Sequence, residues 1–94
     1  LGAHVMARSY GAPLIEEPAR PVWGLETVAS GHEGSALVEF DYGLIAPIEN
    51  LPPDKEDDPH ETPRRDEAGQ LQMHTFFQTG RVDQFCEGPC GDQP

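Results

Sequence analysis

The sequence has few hydrophobic residues and no long uninterrupted run of them. Only 36% of its 94 residues are hydrophobic, whereas a helix that crosses a bilayer needs about 20 consecutive apolar residues. We therefore expect no membrane insertion. A chain of this length also buries a smaller fraction of its surface on folding than a larger domain does. A single domain with a thin core is expected.

Basic residues are scarce as well. Six Lys and Arg stand against 17 Asp and Glu, which gives a formal net charge of −11. Lys55 is the single lysine, and acidic residues flank the one adjacent basic pair, Arg64-Arg65. Because nucleic acids and anionic membrane surfaces are bound by clustered Lys and Arg, neither is an expected partner.

Motifs for cofactors and for nucleophilic catalysis are missing. The serines lack the Gly-x-Ser-x-Gly elbow, and Gly31-x-x-Gly34 lacks the further glycine and lysine of a phosphate-binding loop. The acidic run at residues 54–58 lacks the glycine and the terminal glutamate of an EF-hand loop. The sequence therefore predicts no catalytic, cofactor-binding or metal-binding residue.

Cysteine occurs only at Cys86 and Cys90, close to the end of the chain. The spacing differs from the Cys-x-x-Cys of redox motifs and zinc knuckles, and a zinc site would need two further ligands. Since Gly88-Pro89 turns the backbone tightly between them, a disulfide is expected in an exported protein. Two free thiols are expected in a cytosolic one. The chain begins at Leu1 rather than Met, which fits a processed form or a fragment, and the compartment stays open.

What the sequence does contain is a set of short alternating runs separated by Gly and Pro. Residues 36–42 form the clearest run, with one face mostly apolar and the other largely acidic. Together with residues 25–29 they predict an antiparallel hairpin across the turn cluster at 31–35. A short strand is also expected at residues 4–8. The predicted fold class is mainly β, with much irregular or extended chain and little helix.

Three regions follow from these patterns. Residues 1–51 are predicted to be a small β-rich region. Residues 52–68 form an acidic, proline-rich linker, because between 52 and 67 no aliphatic or aromatic residue is present to offset the entropy cost of ordering. Residues 69–94 hold a strand at 71–77 and the cysteine-containing tail. A helix that starts near Asp66 is the alternative to that strand.

One stretch resembles a known family. Glu39-Phe40-Asp41-Tyr42, with Pro47 and Leu51-Pro52 downstream, is similar to a stretch near the C-terminus of sulfide:quinone oxidoreductase-like flavoproteins. The likeness is confined to this stretch, and neither a flavin-binding motif nor a redox-cysteine motif accompanies it. We therefore do not expect the flavin or the activity of that family here.

Large aromatic side chains are spread between the proline-rich stretches. Aromatic anchors fill pockets on a partner, and flexible spacers become ordered when they bind. The leading prediction is a small acidic accessory or structural subunit that binds along a larger protein assembly and orders on binding. The residues predicted to contact the partner are Trp23, Phe40, Tyr42, Phe76, Phe77 and Phe85.

Two alternatives belong to other classes. The chain could be a small chain or fragment of an enzyme, such as an oxidoreductase, in which His32-Glu33 or the Cys86 and Cys90 pair contributes to a composite site. It could also be an exported binding protein stapled by its disulfide.

Overall fold

A computed structural model describes residues 2–43 and 59–91. Within these ranges helices hold 38% of the residues, and strands and bridges hold 15%. The expectation of a mainly β fold with little helix is therefore wrong. In chain order the elements are α1 (Gly2–Tyr10), β1 (Leu14–Ile15), β2 (Thr27–Val28), β3 (His32–Glu33), a 3-10 turn (Pro59–Glu61), α2 (Thr62–Arg65), α3 (Glu67–Thr79) and β4 (Arg81–Val82).

Two of the expected strands are helices. Residues 4–8 lie in α1 and residues 71–77 lie in α3. The predicted hairpin does not form either, because β2 pairs in parallel with β1. Residues 36–42 take part only in isolated bridges, at Leu37 and Phe40. The predicted boundary at residues 51 and 52 lies outside the described residues.

Strong signals at both ends explain why α3 is a helix. The Asp66 side chain accepts a hydrogen bond from the Ala68 backbone N–H at 3.0 Å, as an N-cap does. Gly80 adopts a left-handed conformation with φ 71° and donates its N–H to the Phe76 carbonyl at 2.8 Å. These caps outweigh the alternating pattern of residues 71–77, which suits a strand.

The core is centred on β1. Leu14 and Ile15 are 0% and 1% exposed, and the backbone of β1 has a neighbour on each edge. On one edge it pairs with β2, and on the other the Ile15 N–H donates to the Leu37 carbonyl at 3.0 Å. The buried hydrophobic residues of the described chain are few: Ala7, Ala12, Leu14, Ile15, Val22, Val82 and Cys90.

The C-terminal tail folds back onto the middle of the chain. β4 pairs antiparallel with β3, and a disulfide then joins Cys86 to Cys90, with their Cα atoms 5.3 Å apart. Cys90 is buried, and its carbonyl accepts a hydrogen bond from the Asp41 N–H at 2.9 Å. The disulfide loop is therefore part of the folded core.

Removing this disulfide is expected to destabilise the protein. Cross-linking a loop of about five residues lowers the entropy of the unfolded chain by an amount worth about 2 kcal/mol. In urea denaturation, the double variant Cys86→Ala/Cys90→Ala should lose about that much unfolding free energy. A reductant should shift the wild-type midpoint towards that of the double variant and leave the double variant unchanged. A wild-type midpoint that does not respond to reductant would contradict the bridge.

Candidate functional site

Residues 35–42, here called the edge segment, run alongside α3 and are fixed near both of its ends. Gly34 donates its N–H to the Gly80 carbonyl at 3.0 Å, just after α3 ends. At the other end, the Tyr42 hydroxyl donates to the Asp66 carboxylate at 3.1 Å, where α3 begins. Because the start of the edge segment meets the end of the helix, the two run in opposite directions.

The edge segment has two chemically different faces. The side chains of Val38 and Phe40 line a cavity that they share with α3, and Phe40 Cζ lies 3.7 Å from the position that a Cβ at Gly69 would take. Glu39 and Asp41 instead engage His4 and Arg20. The alternation in the sequence thus corresponds to an apolar face towards α3 and an acidic face away from it.

A groove remains between the edge segment and α3, between their two attachment points. It consists of two adjoining cavities of about 210 and 300 Å³, which share Gln72 and Met73. We call it the α3 groove. The first cavity is also lined by Ser35, Ala36, Phe76, Phe77 and Val82, and the second by Val38, Phe40, Pro63, Arg64 and Gly69.

Apolar side chains on α3 are exposed beside this groove. Phe77 is 82% exposed, and Met73 and Phe76 are also exposed. The Phe76 and Phe77 rings lie 6.2 Å apart at 63°, an edge-to-face arrangement. Exposed apolar side chains that cluster on one surface mark interaction sites more often than scattered ones do.

The structure brings some of the six predicted partner-contacting aromatics to this region. Phe40 and Tyr42 stack on the edge segment with ring centroids 6.3 Å apart, and Phe76 and Phe77 lie on α3. Trp23 is 83% exposed and lies elsewhere, where its ring accepts a cation–π contact from Arg8 at 5.5 Å. Phe85 is exposed after β4 and lines neither cavity of the groove.

Several groove residues were not among the sequence predictions. Gln72 and Met73, which join the two cavities, carried no aromatic signal. Their helical spacing from Gly69 and Phe76, at intervals of three and four residues, would have placed all four on one face of a helix. Because residues 71–77 are interpreted as a strand in the sequence analysis, this helical spacing is missed there.

A second, polar cavity of about 320 Å³ lies on the acidic face of the edge segment. The Glu39 carboxylate pairs with His4 Nε2 at 2.8 Å and accepts the Arg20 backbone N–H at 3.2 Å. The Arg20 guanidinium pairs with Asp41 at 3.0 Å. Because these charged groups already have partners, the cluster works as a cross-link between α1, the Arg20 loop and the edge segment.

The other residues that the sequence offered for chemistry lie in β3 and in the disulfide. His32-Glu33 forms β3, where it pairs with Val82 and Arg81, and Cys86 and Cys90 form the disulfide. Among residues 2–43 and 59–91, no cluster of three His, Cys, Asp or Glu side chains has the arrangement to hold a metal ion. In the same ranges, no helix has both the length and the apolar character to cross a membrane.

Comparison with known proteins gives no match for this chain. No family model fits it, and no curated protein or solved structure is similar to it. The likeness of the stretch from Glu39 to Pro52 to flavoproteins therefore gains no support from these comparisons. The function of the protein therefore has to be argued from the geometry of the α3 groove.

Proposed function

We propose that this protein is a small accessory subunit that binds a partner protein through the α3 groove. The observation that carries the proposal is the group of exposed apolar side chains on α3, at Met73, Phe76 and Phe77, beside two adjoining cavities. Aromatic side chains next to a pocket are typical of the residues that dominate binding energy.

Covering this surface would add burial energy to a fold with a small core. Burying a fully exposed Phe or Met side chain is worth about 1.5–3 kcal/mol. Phe77, at 82% exposed, approaches that value, whereas Met73 and Phe76, at 39% and 37% exposed, would each contribute a smaller share. The described core holds only seven buried hydrophobic residues, two of them alanines. Binding to a partner would therefore add substantially to the stability of the fold, in keeping with a subunit that becomes more ordered in its assembly.

The charge of the chain defines the kind of partner. With a net charge of −11, the protein attracts a positively charged surface and repels an acidic one. The expected partner surface has an apolar centre with Lys or Arg around it. The rate at which the partner associates with this protein should fall as the salt concentration rises.

Substitution of Phe77 tests the proposal directly. Because its side chain is 82% exposed, Phe77→Ala should leave the fold intact while removing an anchor. The partner is first identified by copurification. We then expect the Kd of its complex with Phe77→Ala to be about 30-fold higher than with the wild type, equivalent to a hot-spot loss of about 2 kcal/mol.

Two matched variants serve as controls in the same titration. Gln78→Ala changes the next exposed residue of α3, which lines neither cavity, and Trp23→Ala removes an equally exposed aromatic elsewhere. Both should bind like the wild type. If Phe77→Ala binds equally well, or if Trp23→Ala is the variant that loses binding, the α3 groove is not the binding surface.

The disulfide supports an exported form of this proposal. A bridge such as Cys86–Cys90 persists in oxidising compartments and is rare in the cytosol. An exported, disulfide-stapled binding protein would use the same groove. Protein purified without reductant should then gain the mass of two protons on reduction.

A further inference from the structure

We infer that the α3 groove takes an extended peptide segment of the partner, which pairs with the edge segment as an added strand. This inference rests on the proposed function and adds the form and the chemistry of the occupant. Strand addition is a common way to bind peptides when a strand edge is free beside apolar pockets.

One side of the edge segment is already in use. Leu37 exchanges hydrogen bonds with the β1 region, donating to the Pro13 carbonyl at 2.8 Å and accepting from the Ile15 N–H at 3.0 Å. Asp41 donates on the same side, to Cys90. In an extended chain the backbone groups of successive residues point to alternate sides. The odd-numbered residues of the segment therefore face β1 and the tail.

The other side of the edge segment has no backbone partner among residues 2–43 and 59–91. By the same alternation, Ala36 and Val38 direct their backbone groups away from β1. Within the part of the chain that the structure describes, neither residue makes a backbone hydrogen bond. Exposed N–H and C=O groups in a row are a template for pairing with another chain. The residues that carry these groups are also the ones that line the two cavities.

The two faces of the edge segment specify the side chains of the added strand. Alternate side chains of a strand point to opposite faces, so every second residue of the peptide would face α3 and the two cavities. Cavities of about 210 and 300 Å³ suit one apolar side chain each. The remaining side chains would face away from α3, where the net charge of −11 favours Lys or Arg over Asp or Glu. The occupant is thus an extended segment of alternating apolar and basic residues.

The probe for this inference is the peptide Lys-Val-Lys-Val-Lys-Val with blocked ends, titrated into the full chain and followed by NMR. We expect shifts at Met73, and amide exchange at Ala36 and Val38 that is at least about tenfold slower, because these N–H groups become paired. Two versions of the peptide, each N-methylated on one alternate set of residues, separate pairing from simple charge attraction. They carry the same charge, but only one of them loses the N–H groups that pair.

One N-methylated peptide should bind about 30-fold more weakly than the other, because it loses the hydrogen bonds to Ala36 and Val38, each worth about 1 kcal/mol. Equal affinity of the two, with shifts still at Met73, would overturn strand addition while the α3 groove remained a binding site. No shift at Met73 with any of the peptides would also overturn it. A concentration-dependent dimer that protects Ala36 and Val38 without peptide would overturn it too, because the occupant would then be a second copy. The proposed function is tested separately, by the Phe77→Ala titration with the identified partner.

Discussion

Replacing Leu14 by alanine is expected to lower the free energy of unfolding by about 2–5 kcal/mol. Leu14 is fully buried, with β2 on one edge of β1 and Leu37 on the other. The lost side chain leaves a cavity that the surrounding residues can fill only in part. For a domain of this size, whose total stability is about 5–14 kcal/mol, that is a large share.

Thermal unfolding followed by circular dichroism measures this effect. Each kcal/mol corresponds to a change in Tm of about 4–8 °C for a domain of this size. Leu71→Ala makes the same chemical change at an exposed position of α3, and we expect it to alter stability by about 0.5 kcal/mol or less. Equal melting temperatures for the two variants would show that β1 is not the centre of the core.

Replacing Gly69 by alanine is expected to destabilise the protein, although the same change stabilises an ordinary helix. In an exposed helix interior, Gly to Ala gains about 1 kcal/mol. Here the added Cβ would fall well inside contact distance of the Pro63 carbonyl oxygen, and Phe40 Cζ would lie 3.7 Å from it. That oxygen belongs to the backbone of α2 and cannot rotate away. Overpacking of this kind costs about 1–3 kcal/mol, so the sign of the effect reverses.

Gly2→Ala is the matched control for this experiment. Gly2 also lies in a helix, but nothing stands within 4 Å of the position that its Cβ would take. The melting temperature of the Gly2→Ala variant should stay the same or rise slightly, while that of Gly69→Ala falls. If Gly69→Ala proved as stable as Gly2→Ala, the close approach of α2 to α3 at this glycine would be refuted.

The faces of the edge segment could be read from the sequence, but its neighbours could not. Alternation is a local property, so it reports that Phe40 and Glu39 point in opposite directions. Pairing depends on residues that are distant along the chain, namely Pro13 to Ile15 and Cys90. The run at residues 25–29 lies close in sequence, which is why a hairpin with it is predicted. That run instead contributes β2, which pairs with β1.

The identity of α3 was present in the sequence as two competing signals. The alternation of residues 71–77 fits a strand, while Asp66 and Gly80 fit the two ends of a helix. Caps satisfy backbone groups that a helix would otherwise leave unpaired. Both capping hydrogen bonds are present, the one to the Asp66 side chain and the one from the Gly80 backbone N–H. Giving the termini more weight than the interior pattern would have placed Met73, Phe76 and Phe77 on a helix surface.

The arrangement around Leu37, Asp41 and Cys90 also bears on the stoichiometry of the proposed complex. Among the described residues, β1 and the tail cover one margin of the edge segment, and the other margin has no backbone partner. Pairing of a strand at that margin, as proposed, predicts one partner segment per molecule.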